Sequence, residues 1–210
     1  MTMDIFTTGP YIEMSINGRN PMTPQVVSAN GEEVVTWRVP LTNEGAVVHL
    51  SLDDCAYYVR WLFDHPDQDG IDLEVAIEHI RYADLVAAFE KVTGCKARFV
   101  DVTLEQYWSD GPMRKRASTA AGIEANTEES GVLSVKKSFT GFWNMWRNSG
   151  GNTGVTKRDY ELLDETHPNT IRSVEQFFHV EDEKAKVQGP SLLKYVKTAK
   201  SPLQPRKDRN

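Results

Sequence analysis

The histidines, cysteines and serines of this sequence are the residues that could hold a metal ion or act as a nucleophile. The five histidines and two cysteines form no His-x-x-x-His or Cys-x-x-Cys pair, the spacings that bring two ligands to one metal ion. We therefore expect no metal site. No serine lies in a Gly-x-Ser-x-Gly turn, so the nucleophile signature of the α/β-hydrolases is absent.

Two short motifs resemble catalytic or phosphate-binding elements but have simpler interpretations. Asp53 and Asp54 are adjacent carboxylates at the predicted start of a helix, where acidic residues commonly serve as cap and dipole partner. The stretch 149–154 is Ser-Gly-Gly-Asn-Thr-Gly, but no Lys-Ser or Lys-Thr follows it, as a phosphate-binding loop requires. We expect capping at the first motif and a flexible connector at the second.

An aromatic cluster, Phe142-Trp143-Asn144-Met145-Trp146, is a candidate for an apolar pocket. Its other interpretation is helix packing, which we favour because buried aromatic side chains supply core energy wherever they occur. If the cluster does line a pocket, Trp143 and Trp146 are the candidates for the wall of a substrate site.

Composition and charge exclude several classes of protein. The chain has 210 residues, of which 40% are hydrophobic and 26% charged, an ordinary globular composition. Its net charge of -6 argues against a general nucleic-acid binder, which needs a positive field. The segment 191–210 is an exception, with six basic residues and one acid. We expect it to be a solvated terminus rather than a contact for acidic partners.

No apolar run approaches the ~20 residues of a membrane span. The first residues also lack the charged start, apolar stretch and small-residue cleavage site of a signal peptide. The expectation is a cytoplasmic protein without membrane contact, with the nucleus as the alternative compartment.

Short apolar runs alternate with amphipathic helical patterns, which predicts a mixed α/β fold. The predicted strands are 5–8, 34–39, 47–50, 71–76 and 97–102. Three predicted helices follow in the first half of the chain: one capped by Ser51 or Asp53, one over 81–93 that ends at Gly94, and a short one that begins at Thr103 and Gln106. Two more are predicted near 162–163 and 174–178, and the second of these is capped by Asn169 or Thr170. The predicted regions are an α/β part over 1–108, a flexible loop over 109–131, closing helices over 132–180 and a basic polar tail over 181–210.

An ordered series of segments resembles the NmrA-like proteins, which are atypical short-chain dehydrogenases/reductases. Thr8-Gly9-Pro10-Tyr11-Ile12-Glu13-Met14 resembles the segment that closes the sixth strand of that family. Further similar segments follow in the family's order: 47–58, 65–67, 70–76, 84–108 and 162–178. The likeness extends over about residues 5 to 180, and no single motif carries it alone.

The resemblance implies the C-terminal part of a doubly wound, Rossmann-like NAD(P)-binding fold with its small closing α/β subdomain. Family members bind NADP or NAD through a Gly-x-x-Gly-x-x-Gly turn after the first strand, where a helix N-terminus holds the pyrophosphate. That motif is absent from this chain, and so is the Tyr-x-x-x-Lys pair of many short-chain dehydrogenases. We expect the cofactor-binding half to be missing and the chain to bind dinucleotide weakly at best.

Three functions remain open from the sequence. In the first, the chain is a truncated NmrA-like binding or regulatory module without redox catalysis of its own. In the second, it is part of an NAD(P)H-dependent oxidoreductase of specialised metabolism whose cofactor half is elsewhere. In the third, it is a remnant without activity. If it is an enzyme, it is of the oxidoreductase type. We favour the regulatory module.

The resemblance also places the candidate site. Ligands of open α/β sheets lie beyond the carboxyl ends of the strands, so Thr8, Gly9, Pro10 and Tyr11 are the expected cleft residues. A plain strand-ending turn is an equally good interpretation of Gly9-Pro10. The strand before them would lack its neighbour, which predicts self-association or a partner protein at an exposed sheet edge.

Overall fold

The computed structural model describes residues 3–17, 20–29, 31–66, 70–122, 131–187, 189 and 191–198. Outside the described residues lie 1–2, 18–19, 30 and 67–69 of the predicted α/β part, 123–130 of the predicted loop, and 188, 190 and 199–210 of the predicted tail. The strands are β1 (Ile5–Thr8), β2 (Gln25–Ala29), β3 (Glu32–Val39), β4 (Val47–His49), β5 (Asp72–Val75), β6 (Glu78–Ile80) and β7 (Ala97–Asp101). The α-helices are α1 (Leu52–Asp64), α2 (Tyr82–Thr93), α3 (Leu104–Asp110), α4 (Val135–Arg147), α5 (Tyr160–Thr166), α6 (Val174–Val187) and α7 (Leu192–Thr198).

The strands form three small sheets, and the predicted α/β class is confirmed. β1 pairs with β5 in parallel, β3 lies between antiparallel β2 and parallel β7, and β4 pairs with β6 antiparallel. A single parallel bridge between Tyr11 and Leu50 connects the end of β1 to the end of β4. Both parallel pairs join distant segments, since Thr7 and Asp72 are 65 residues apart and Thr36 and Arg98 are 62 apart.

Local signals place most helix ends correctly. Ser51 caps α1, because its hydroxyl accepts from the Asp53 amide at 3.3 Å. Gly94 ends α2 in the left-handed conformation at φ 67°, which a residue without a side chain adopts at little cost. The capping box of Thr103 and Gln106 is also present.

The predicted cap of α6 is wrong. Neither Asn169 nor Thr170 caps this helix, because it begins only at Val174. Ser173 accepts from the Gln176 amide at 3.1 Å instead, and the Ser-x-x-Gln spacing of a capping box was the signal for it. A second acceptor reaches the same helix end from a neighbouring strand: the Glu78 carboxylate accepts from the Val174 amide at 2.6 Å.

The main core lies between the β3 sheet, α2 and α6. Trp37 is fully buried, meets Phe89 edge to face at 5.4 Å between ring centres, and donates its indole N–H to the Ser15 carbonyl at 2.9 Å. Phe89 in turn meets Phe178 of α6 at 5.4 Å. A smaller cluster of Leu50, Tyr58, Leu73, Val75 and Leu163 joins α1 to the β1–β5 pair. These two clusters fix the end of β1 against β4.

The described part of the basic tail predicted over 181–210 is largely helical. Residues 181–187 continue α6, and residues 192–198 form α7, whose Leu192 is buried. Lys197 forms an ion pair with Glu33 of β3, so a tail lysine meets an acid of its own chain. No helix in the described part of the chain has both the length and the apolar composition that crossing a bilayer requires.

Candidate functional site

The segment after β1 is locked against the end of β4 by backbone contacts. A Cβ atom on Gly9 would lie 1.6 Å from the Val48 carbonyl oxygen, so only glycine allows these two backbone segments to approach this closely. The Pro10 carbonyl accepts from the Leu50 amide at 3.2 Å, and the Leu50 carbonyl accepts from the Ile12 amide at 2.9 Å. The two interpretations of Gly9-Pro10 therefore coexist: the turn is structural, and it also borders a groove.

His49 completes this junction as a neutral, buried side chain. It is fully buried, and its Nδ1 lies 3.1 Å from the Pro10 carbonyl oxygen. A carbonyl only accepts, so Nδ1 carries the proton. Burial lowers the pKa of His49 to about 4, because the imidazolium would lose its hydration. His49 is thus a structural donor at neutral pH.

A groove of about 730 Å³ opens beside this junction, a size typical of small-molecule sites. Thr8, Gly9 and Pro10 line one side of it. The opposite wall is apolar and comes mainly from α4 and the loop after it: Phe142, Met145, Trp146 and Val155.

The groove separates the six residues proposed from sequence into two groups. It brings Thr8, Gly9 and Pro10 together with Trp146. Tyr11 does not line it, because its backbone bridges to Leu50 and its ring packs on the smaller core cluster. Trp143 is fully buried and meets Tyr107 edge to face at 5.7 Å. Trp143 is therefore a core residue in this structure rather than a wall of the groove.

The glycine-rich stretch 149–154 belongs to a tied loop at the groove's polar end. Asn152 holds Arg158 by two bonds: its side-chain oxygen accepts from the Arg158 amide at 2.7 Å, and its side-chain nitrogen donates to the Arg158 carbonyl at 2.9 Å. The Ser149 and Thr156 hydroxyls lie 2.8 Å apart. Hydrogen bonds thus hold the first residue and the middle of the stretch predicted as a flexible connector.

His79 attaches this loop to β6. Its Nε2 lies 2.9 Å from the Thr156 carbonyl oxygen, so Nε2 donates and Nδ1 is left to accept from the Tyr160 hydroxyl at 2.7 Å. Burial lowers the pKa of His79 and raises the pKa of Tyr160. Both groups are therefore neutral near pH 7 and serve to position the loop.

Arg158 is the residue that sequence reasoning missed. Its side chain is only 3% exposed, although it lines the groove. Its Nη1 lies 3.3 Å from Oε1 of Glu74 and donates to the Lys157 carbonyl at 2.6 Å. Its Nε is buried and has no hydrogen-bond partner. No sequence signal marked this arginine, because a single basic residue after a glycine-rich stretch is ordinary.

The carboxylates of Asp53 and Asp54 are not the cap of α1, contrary to the expectation from sequence. Asp53 is exposed and forms an ion pair with Lys184 at 2.7 Å. Asp54 is buried and accepts from Thr170 at 3.0 Å, from the Ile171 amide at 3.2 Å and from His167 at 3.1 Å. Asp54 therefore anchors the link between α5 and α6 to α1. Among the described residues, no group of histidines, cysteines and carboxylates could hold a metal ion.

The fold is similar to that of NmrA. A structure of mutant NmrA, in which one asparagine and one alanine are replaced by glycine, matches at a TM-score of 0.56 and 13% identity. The match covers 92% of this chain and 57% of that one. NmrA in complex with NADP, described as a negative transcriptional regulator, matches at the same TM-score and identity over 92% of this chain and 56% of its own. NmrA in complex with NAD gives the same values.

These matches show a common fold. The chain spans 57% of the length of the mutant NmrA and 56% of the length of the NADP complex. The sequence matches no protein-family model and no curated protein.

Proposed function

We propose that this chain is a ligand-binding module of a regulatory NmrA-like protein, without redox catalysis of its own. The observation that carries the proposal is the groove, which joins the strand-ending segment Thr8, Gly9 and Pro10 to an aromatic wall at Trp146. The location agrees with the general rule that ligands of α/β sheets bind beyond the carboxyl ends of strands. The proposed module corresponds to the C-terminal part of an NmrA-like protein and acts in the cytoplasm or the nucleus.

The regulatory role is supported by the neighbours with the same fold, which include NmrA described as a negative transcriptional regulator. An alternative function is part of an NAD(P)H-dependent oxidoreductase whose cofactor half is on another chain. The observation in its favour is that NmrA structures hold NADP or NAD. Dinucleotide binding separates the two, because a module without the glycine turn for the pyrophosphate should bind NADPH weakly.

The groove is tested with a neutral aromatic dye, N-phenyl-1-naphthylamine, whose fluorescence rises in apolar surroundings. We expect saturable binding by the whole chain, and we expect NADPH to show no binding in the low micromolar range. Met145→Glu places a charge on the apolar wall and should weaken dye binding by roughly tenfold or more, because burying an unpaired carboxylate is costly.

Leu133→Glu is the matched control for this experiment. Met145 and Leu133 are exposed to similar degrees, 40% and 43%, but Leu133 does not line the groove. The control should bind the dye like the wild type. Equal binding by both variants would contradict the groove as the site, and a low-micromolar NADPH complex would favour the oxidoreductase.

The proposal extends to association through β1. This strand pairs with β5 on one edge, and within the described part of the chain no strand pairs with its other edge. Ile5 of β1 is 42% exposed, and an unpaired edge can pair with another chain. We expect size-exclusion chromatography with light scattering to show a particle heavier than one chain at high concentration. A monomer at every concentration would count against a second copy at this edge.

A further inference from the structure

An ion pair lies between two adjoining spaces, which we call the apolar chamber and the polar chamber. The apolar chamber is the 730 Å³ groove described above, and a second space of about 540 Å³ adjoins it. Glu74, Lys157 and Arg158 line both spaces, and Asn152, Asp159 and Tyr160 line only the second. A ligand in the apolar chamber would therefore meet the Glu74–Arg158 pair at one end.

The two partners of this pair differ in their exposure. The Arg158 side chain is 3% exposed and the Glu74 side chain is 45% exposed. The arginine is fixed, because Asn152 holds its backbone at both the amide and the carbonyl. Glu74 is the partner that can turn out to solvent, since a long side chain that is nearly half exposed has room for other rotamers.

The pairing leaves the guanidinium incompletely satisfied. Nη1 has a carboxylate oxygen at 3.3 Å, longer than the 2.7–2.9 Å typical of a charged hydrogen bond. The buried Nε has no partner. A planar guanidinium binds a carboxylate best through two parallel N–H donors, and the Glu74 carboxylate comes no closer to it than 3.3 Å.

From these contacts we infer that Arg158 is the anion subsite of the groove and that Glu74 occupies it when no ligand is bound. The ligand class is an aromatic or aliphatic monocarboxylic acid, whose apolar body lies along Phe142, Met145 and Trp146 while its carboxylate replaces that of Glu74. This inference rests on the proposed function, because it assigns a ligand class to the same groove.

The experiment displaces N-phenyl-1-naphthylamine from the whole chain with 2-naphthoate or with the neutral 2-naphthamide. The two competitors have the same ring system and differ in charge. We expect the wild type to bind 2-naphthoate more tightly than 2-naphthamide. In Glu74→Gln the affinity for 2-naphthoate should rise roughly tenfold, the effect of removing one competing charged contact, while the affinity for 2-naphthamide stays unchanged.

Two further variants complete the test. Glu161→Gln removes a charge from the lining of the polar chamber without removing Arg158's ion-pair partner, and it should leave the preference for 2-naphthoate as in the wild type. Arg158→Met should abolish that preference and retain binding of 2-naphthamide. Because Arg158 is buried, the thermal melt of this variant is compared with that of the wild type. If Arg158→Met unfolds, the exposed substitution Glu74→Gln decides whether the subsite exists.

The outcomes separate this inference from the proposed function. If the dye does not bind the wild type, the groove itself is not a site and both fail. If the dye binds but Glu74→Gln leaves the ratio of the two affinities unchanged, the groove stands and the anion subsite is wrong. If the affinity for 2-naphthoate rises equally in Glu161→Gln and Glu74→Gln, the anion subsite is also wrong, because the effect then comes from the overall charge of the protein.

Discussion

Gly9→Ala should destabilise the protein by about 3 kcal/mol or more, at the upper end of the cost of overpacking. The added methyl group would lie 1.6 Å from the Val48 carbonyl oxygen, and the atom it meets belongs to the backbone, which cannot turn aside as a side chain can. The end of β1 must then move away from β4, and the backbone hydrogen bonds that Leu50 makes with Pro10 and Ile12 are lost with it. Chemical denaturation monitored by tryptophan fluorescence measures the change.

Gly141→Ala is the control for this substitution. Gly141 lies within α4, and apart from its chain neighbours and the backbone of its own helix nothing lies within 4 Å of the position of its Cβ. Alanine is the better helix former, so this variant should be more stable than the wild type by roughly 0.5–1 kcal/mol. We therefore expect the free energy of unfolding to fall in Gly9→Ala and to rise in Gly141→Ala. A neutral Gly9→Ala would mean that the contact between β1 and β4 is looser than its geometry indicates.

Buried His49 should make the protein sensitive to acid. Its pKa is about 4 in the folded chain and near 6.5 in the unfolded chain, so between these values the unfolded chain binds more protons. The free energy of unfolding therefore falls as the pH drops below about 6.5. The loss attributable to His49 is about 2 kcal/mol at pH 5, and above pH 7 it vanishes.

The comparison of His49→Gln with the wild type at pH 7 and pH 5 isolates this effect. It is needed because burial raises the pKa values of Glu13 and Glu78, and a raised carboxyl pKa acts in the opposite direction. The variant should be less stable at pH 7 but lose less stability on acidification. The same acid loss in His49→Gln would contradict a neutral, buried His49.

Features that depend on a few neighbouring residues could be predicted from the sequence. Gly94 and the pair Thr103 and Gln106 mark helix ends through bonds that span at most four residues. The strand over 5–8 and the segment after it are also evident from local pattern, and three of its four candidate residues line the groove.

Features that depend on distant contacts could not be predicted. Asp54 and His167 are 113 residues apart, so nothing near Asp54 showed that it would be buried as an acceptor. The different positions of Trp143 and Trp146 had a local signal, because three residues along a helix turn the side chain by about 60°. Using that signal required predicting the helix over Val135–Arg147, whose apolar residues at 135, 139, 142, 143 and 146 do follow the spacing of one helix face. Arg158 became visible only once Glu74 of β5 was placed beside it.

The parallel pairing of β1 with β5 and of β3 with β7 constrains the order in which the sheets can form. Neither pair can form before a loop of more than 60 residues has closed, and this entropy is lost before any ladder bond compensates for it. The β2–β3 hairpin needs only a short turn between Ala29 and Glu32. We therefore expect local structure, namely this hairpin and helices such as α2, to form before the parallel pairs, and the groove, which borders the end of β1, to be completed with them.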